Sequence, residues 1–207
     1  DGLRWAEGPA WMADGYLLFS DVPANVVYKW SRENSLETFL DPSGYDGPSP
    51  EIFREPGMNG IVPGGPGRAF AAVHGQRAIV ELDLASGDKT VLADRYAGKA
   101  FNSPNDLVRA SDGSIYFTDP TFGLAGMNDS PLRELEFAGV FRLAPEGVVT
   151  LIDDSLSFPN GIALSPDERT LYVSLADQKN AVWLAYDLSE TGEASNRRVF
   201  YDATARI

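Results

Sequence analysis

The run Asn105-Asp-Leu-Val-Arg-Ala-Ser-Asp-Gly-Ser-Ile-Tyr-Phe-Thr118 contains a complete structural unit. A polar pair, Asn105-Asp106, leads a short hydrophobic stretch. Ser111-Asp-Gly113 marks a tight turn between two β-prone runs. Ser114–Thr118 is the second run, rich in β-branched and aromatic residues. The same order of parts recurs three more times, after Glu7-Gly8, Asn59-Gly60 and Asn160-Gly161. The leading residues of the pairs lie 52, 46 and 55 positions apart. The matching runs are Tyr16–Ser20, Arg68–Ala72 and Thr170–Ser174. A repeat of short strands near this period implies an all-β fold, a β-propeller with one blade per repeat. The innermost strand of each blade opens on one central channel, so residues a full repeat apart converge there.

Further strands are expected at Val26–Trp30, Ala78–Leu84, Lys89–Ala93, Gly139–Leu143, Val148–Ile152, Ala181–Leu188 and Arg197–Tyr201. Residues 41–57, rich in Pro, Gly, Ser and Asp, read as an exposed loop. Asp119–Phe137 reads as an insertion lying over one face of the disc, with one short helical turn in Ser130–Leu135. Four repeats fill residues 1–207 as a single domain. A ring of six blades needs roughly three hundred residues at about fifty per blade. Residues 1–207 are therefore either about four blades of a larger ring, cut short at the C-terminus, or an unusually small four-bladed ring; the motifs below favour the first.

The composition sets limits on function. With 207 residues and 43% hydrophobic content the chain can bury a real core. The net charge of −13 leaves no basic patch to meet phosphates, so neither a nucleic-acid nor an anionic-membrane partner is expected. No cysteine is present, which excludes disulfides and thiolate metal sites. No apolar run is long enough to span a bilayer, and no signal peptide is visible. The compartment, cytoplasmic or periplasmic, and the oligomeric state are left open.

Oxygen-donor side chains recur at the repeat starts: Glu7, Asn59, Asn105 and Asn160. Asn before Gly also makes an ordinary turn, since Asn tolerates left-handed backbone. Set in phase around a channel, the same residues form a ring of one carboxylate and several amide oxygens, a donor set suited to a hard divalent cation. His74 is the only histidine. No nucleophilic serine motif accompanies it, so a structural or channel-facing role is expected. Asp106 is expected to hydrogen-bond neighbouring backbone. Asp21 and Asp119, which follow matching strands, are expected to cap turns.

Glu7-Gly-Pro-Ala-Trp11, Phe19-Ser-Asp-Val22, Asn25-Val-Val-Tyr28, His74-Gly75, Asn102-Ser-Pro-Asn-Asp106, Tyr116-Phe-Thr-Asp-Pro120 and Phe158-Pro-Asn-Gly161 together resemble the SMP-30/gluconolactonase/LRE-like family, in its bacterial gluconolactonase pattern. The resemblance covers nearly the whole chain. It implies a six-bladed propeller with one divalent cation in the channel, and hydrolytic opening of a small-molecule sugar lactone to the aldonic acid. The implied cation is calcium, with magnesium, manganese or zinc as alternatives. The implied metal ligands are Glu7, Asn105 and Asn160. A fourth ligand, an Asp that also serves as general base, is expected beyond Ile207. Asn59, Asn105 and His74 are expected to bind substrate. Two other functions stay open on the same scaffold: hydrolysis of other esters or phosphotriesters, and a non-enzymatic calcium-binding or interaction propeller.

Overall fold

The computed structural model describes residues 2–206. Blade one is β1 (Ala6–Met12), β2 (Tyr16–Asp21), β3 (Val26–Ser31) and β4 (Ser35–Leu40). Blade two is β5 (Met58–Gly65), β6 (Arg68–Val73), β7 (Ala78–Asp83) and β8 (Lys89–Ala93). A small hairpin, β9 (Arg95–Tyr96) and β10 (Lys99–Ala100), leads into blade three. That blade is β11 (Leu107–Arg109), β12 (Ile115–Asp119), β13 (Ala138–Leu143) and β14 (Val149–Leu156). Blade four is β15 (Pro159–Leu164), β16 (Thr170–Leu175), β17 (Val182–Leu188) and β18 (Ala194–Asp202). Each blade is a four-stranded antiparallel meander in sequence order. The four-bladed propeller expected from the repeats is the observed architecture. The fourth ligand expected after Ile207 lies outside the described residues.

The core sits between blades, because side chains alternate across each strand and both faces of an inner blade need cover. Ala10, Met12, Leu18 and Val27 of blade one pack on Met58, Ile61, Val80 and Leu82 of blade two. Ile79 and Ala93 of blade two meet Ile115, Phe117 and Phe141 of blade three. Phe101, Phe117 and Phe141 form an aromatic triangle there, with centroids 5.2, 5.3 and 5.4 Å apart. Tyr116 and Val140 of blade three meet Ile162, Leu171 and Leu184 of blade four.

The faces of the two end blades that point away from this core carry exposed aromatics. On blade one the cross-strand row Trp11–Leu17–Trp30–Leu36 runs over the free face, and Trp11, Trp30 and Leu36 are exposed. On blade four Trp183, Val199 and Phe200 are about half exposed, with Phe200 against Tyr172.

Two segments differ from the sequence expectation. Residues 41–57 are not simply exposed: Ser43, Phe53, Glu55 and Gly57 are buried. The loop is tied down by Asn25, whose Nδ2 donates to the Tyr45 carbonyl at 2.7 Å and whose Oδ1 accepts from Gly44 N–H at 2.7 Å. The short helical turn of the 119–137 insertion is at Met127–Asp129, not within Ser130–Leu135. It starts after Gly126, whose left-handed φ of 80° reverses the chain. The two segments pair with each other through Arg54 N–H to Gly123 O (2.8 Å) and a bridge between Phe53 and Leu124. Strand β4 carried no signal strong enough to be expected. Among the described residues no helix is long and apolar enough to cross a membrane.

Two outcomes follow from this packing. A Cβ on Gly8 would lie 2.2 Å from the Asn59 carbonyl oxygen, at a φ of +57°. Gly8→Ala is expected to destabilise by about 3 kcal/mol, summing overpacking and left-handed strain, read as a lower urea midpoint with an unchanged slope. Residues 1–207 expressed alone are expected to bind a hydrophobic dye in the native baseline and to scatter light on concentration, because of the two aromatic faces. A dye-silent monomer counts against it.

Candidate functional site

Three of the four innermost strands begin with a β-bulge, between Glu7 and Ala10, Met58 and Ile61, and Pro159 and Ile162. A bulge adds a residue and re-aims a side chain. Asn59 and Asn160 lie within their bulges, and Glu7, paired with Ser20, is the last residue before its own. In blade three, β11 starts later, and Asn105-Asp106 precede it as extended chain.

The four pairs adjoin one another across the ring. Gly8 lies against the Asn59 carbonyl. Gly60 N–H donates to the Asn105 carbonyl at 2.8 Å. Asp106 Oδ2 accepts from Ile162 N–H at 3.1 Å, with Gly161 beside it. Glu7, Asn59, Asn105 and Asn160 therefore stand in one continuous row. Hydroxyls on the second strands brace this row. Ser20 Oγ donates to the Asn59 carbonyl at 2.9 Å, and Thr118 Oγ1 donates to the Asn160 carbonyl at 2.7 Å. Each brace runs from one blade to the polar pair of a neighbouring blade.

Asp21 and Asp119 follow those hydroxyls; instead of capping local turns, as expected from the sequence, each fastens the chain that leads to its own blade's pair, 16 or 17 residues earlier. Asp21 accepts from the N–H groups of Arg4 and Trp5 at 2.8 and 3.1 Å. Asp119 Oδ2 accepts from Asn102 N–H at 2.8 Å. Asp106 accepts backbone N–H from Leu107 at 2.9 Å as well as from Ile162, the hydrogen-bonding role expected for it.

Asn59 and Asn105 are buried, at 4% and 5% exposure, while Glu7 and Asn160 are partly exposed. Glu7 Oε1 accepts from the Trp5 indole N–H at 2.7 Å. His74 is fully buried behind the two amides: its Nε2 is 3.3 Å from Asn59 Nδ2 and 3.5 Å from Asn105 Nδ2. Its Nδ1 is 3.6 Å from Glu55 Oε2. Burial pushes the imidazole pKa down to about 3, so this contact is a neutral ring beside a carboxylate and not an ion pair.

Glu55 was not singled out by its sequence. It sits in a Pro/Gly-rich loop, and only the folding of residues 41–57 over the ring brings it to the site. Its pKa is raised by burial, with further repulsion from Glu7, against the pull of Arg54, whose guanidinium is 3.2 Å from Oε1. Asp106 is pushed up to about 6, first by burial, with Glu7 again adding repulsion. The carboxylates of Glu55 and Asp106 thus both feel that of Glu7. Among the described residues no three His, Cys, Asp or Glu side chains gather as a metal cluster. A cation here would rest on Glu7 and amide oxygens, all hard donors, and would relieve the carboxylate repulsion. The residues fit such an ion.

The pattern of the SMP-30/Gluconolactonase/LRE-like region matches residues 5–206. The chain belongs to this family. It is 45% identical to a gluconolactonase of Zymomonas mobilis over 197 residues, which cover 94% of this chain and 55% of that protein. A solved gluconolactonase from Xanthomonas campestris superposes with a TM-score of 0.79 at 36% identity, covering 95% of this chain and 62% of the other. A calcium-binding regucalcin from Agrobacterium tumefaciens shares the fold, with a TM-score of 0.71 at 19% identity. The chain thus spans a little over half the length of the family members it matches.

Complete burial holds the Asp119 carboxyl at about 7, against 3.8 ordinarily, despite the Asn102 N–H bond. A carboxyl with a raised folded pKa stabilises the fold most below its unfolded pKa and loses that contribution as pH rises through the folded one. The stability difference between the wild type and Asp119→Asn is therefore expected to shift against the wild type from pH 4 to pH 7, by on the order of a few kcal/mol. Urea unfolding across that range measures it; a pH-independent difference contradicts it.

Proposed function

We propose that this protein is a divalent-cation-dependent hydrolase that opens a sugar lactone to its aldonic acid. The observation that carries the proposal is the continuous row of Glu7, Asn59, Asn105 and Asn160 on adjoining inner strands, in a chain whose relatives include gluconolactonases. Glu7, Asn105 and Asn160 would hold the cation, calcium foremost, with magnesium, manganese or zinc as alternatives. Bound there, it supplies Lewis-acid polarisation of the lactone carbonyl.

The chain's own residues do the rest. The Asn59 amide is placed to hydrogen-bond a sugar hydroxyl and orient the ring. His74, being fully buried, reaches a substrate only through Asn59 and Asn105. Arg54, exposed beside Glu55, adds positive charge at the mouth of an acidic site. In the net reaction water adds its oxygen to the carbonyl carbon, the ring carbon–oxygen bond breaks, the ring oxygen takes up a proton, and one proton is released with the carboxylate. We place the proton-accepting carboxylate on an Asp beyond Ile207. The functional unit is proposed to include more blades than these four.

The test uses the full-length protein, with proton release from a sugar lactone as one readout and calorimetric Ca²⁺ binding as the other. Glu7→Gln is expected to lower both, turnover by at least about 100-fold. Asn160→Ala is expected to lower both by about 10-fold or more. A chelator is expected to abolish turnover and added Ca²⁺ to restore it. Full activity of Glu7→Gln in the presence of chelator would overturn the proposal.

A further inference from the structure

We propose that His74, held in one tautomer by Glu55, sets the direction of the Asn59 and Asn105 side-chain amides and turns both carbonyl oxygens toward the channel. The inference deepens the cation-binding reading above and rests on it.

Two amide nitrogens converge on one ring nitrogen. Asn59 Nδ2 is 3.3 Å and Asn105 Nδ2 is 3.5 Å from His74 Nε2. An amide NH₂ only donates, so Nε2 must be the unprotonated acceptor. In a neutral imidazole the proton then sits on Nδ1. Glu55 Oε2 faces that atom at 3.6 Å, just beyond hydrogen-bonding length, the Glu55 backbone also bears on the ring as an acceptor, and Nδ1 makes no well-aligned hydrogen bond among the described residues. Arg54, 3.2 Å from the other Glu55 oxygen, favours the ionised carboxylate, which can only accept. A buried N–H without a partner is destabilising, so the Nδ1–H is drawn to this carboxylate.

The opposite tautomer would set three donors against one another at Nε2. Relief would require both Asn side chains to flip, placing NH₂ groups where a cation is to be held. As it stands, no described donor reaches Oδ1 of Asn59 or Asn105, and neither oxygen is sealed in as a buried orphan. The ring is fixed from behind: a Cβ on Gly123 would lie 2.7 Å from the His74 ring. The insertion and the 41–57 loop therefore hold His74 in place, and His74 in turn directs the amides. His74 is a positioning residue; it does not touch the reacting atoms.

His74 is the only histidine of residues 1–207, so its ring nitrogens are assigned by long-range ¹H–¹⁵N correlation on the full-length protein, any affinity tag removed, as the signals that disappear in His74→Leu. A protonated Nδ1 and a bare Nε2 are expected; a protonated Nε2 overturns the proposal. Calorimetric Ca²⁺ titration gives the second arm. His74→Leu is expected to weaken binding by about 10-fold or more, the usual effect of losing a group that orients a ligand. In an Asn105→Asp background the same change is expected to weaken it much less, because a carboxylate presents oxygen whichever way it turns. An equal loss in both backgrounds would assign His74 a packing role only and overturn the proposal. If the wild type binds no divalent cation, the cation reading fails, while the tautomer spectrum still decides the direction of the amides.

Discussion

The site depends on backbone meeting backbone where no side chain fits. At Gly8 the neighbouring Asn59 carbonyl occupies the space of a Cβ, and at Gly60 the Asn105 carbonyl and Asp106 carboxylate do the same. A glycine at these points lets one inner strand lie against the next. The residue beside each glycine is then forced into the same row as its neighbours. The adjacency of the Glu7, Asn59 and Asn105 pairs is a consequence of that contact, and the Ile162 N–H bond to Asp106 adds the Asn160 pair to the row. The bulges serve the same end, since an extra residue at the start of the strand tips its side chain out of the sheet's alternation.

Close approach alone does not fix geometry, and the second strands supply what is missing. Ser20 and Thr118 each donate a buried hydroxyl to the carbonyl of an Asn on a neighbouring blade. Such a bond contributes about 1 kcal/mol net, and leaving its acceptor unpaired is worse. Asp21 and Asp119, one residue further on, fasten the chain that leads into their own blade's pair. One dipeptide on the second strand thus serves two blades. Ser174, at the same position of blade four, instead accepts from Gly161 N–H at 2.9 Å within its own blade.

Electrostatics at the channel point in one direction. Burial raises the proton affinity of both Glu55 and Asp106, and Glu7 adds a smaller repulsion. Neutral amides complete the wall, and a neutral imidazole stands behind them. Among the described residues the site gathers carboxylates and hard neutral donors without a cationic side chain at its centre, and so is short of positive charge. In the proposed reading, a divalent cation would supply it without the steric demands of a lysine or arginine.

The amino-acid order by itself determined the repeat and hence the blades, because short β-prone runs between Gly and Asp turns are local signals. It also put Glu7, Asn59, Asn105 and Asn160 in phase, and phase along the chain becomes position around a ring. The amphipathic but weak Ser35–Leu40 gave no such signal, being exposed on most positions. Glu55 was invisible for a different reason. Its loop has turn-forming composition, and nothing local distinguishes a loop that stays in water from one fastened down by Asn25 and paired with a segment some seventy residues away. The role of His74 was equally hidden. One histidine before a turn says nothing of its neighbours; only the packing of three segments around it brings two amides to one nitrogen and a carboxylate to the other. Local patterns set the strands and their phase, whereas contacts between distant loops set the protonation and orientation of the groups in the channel.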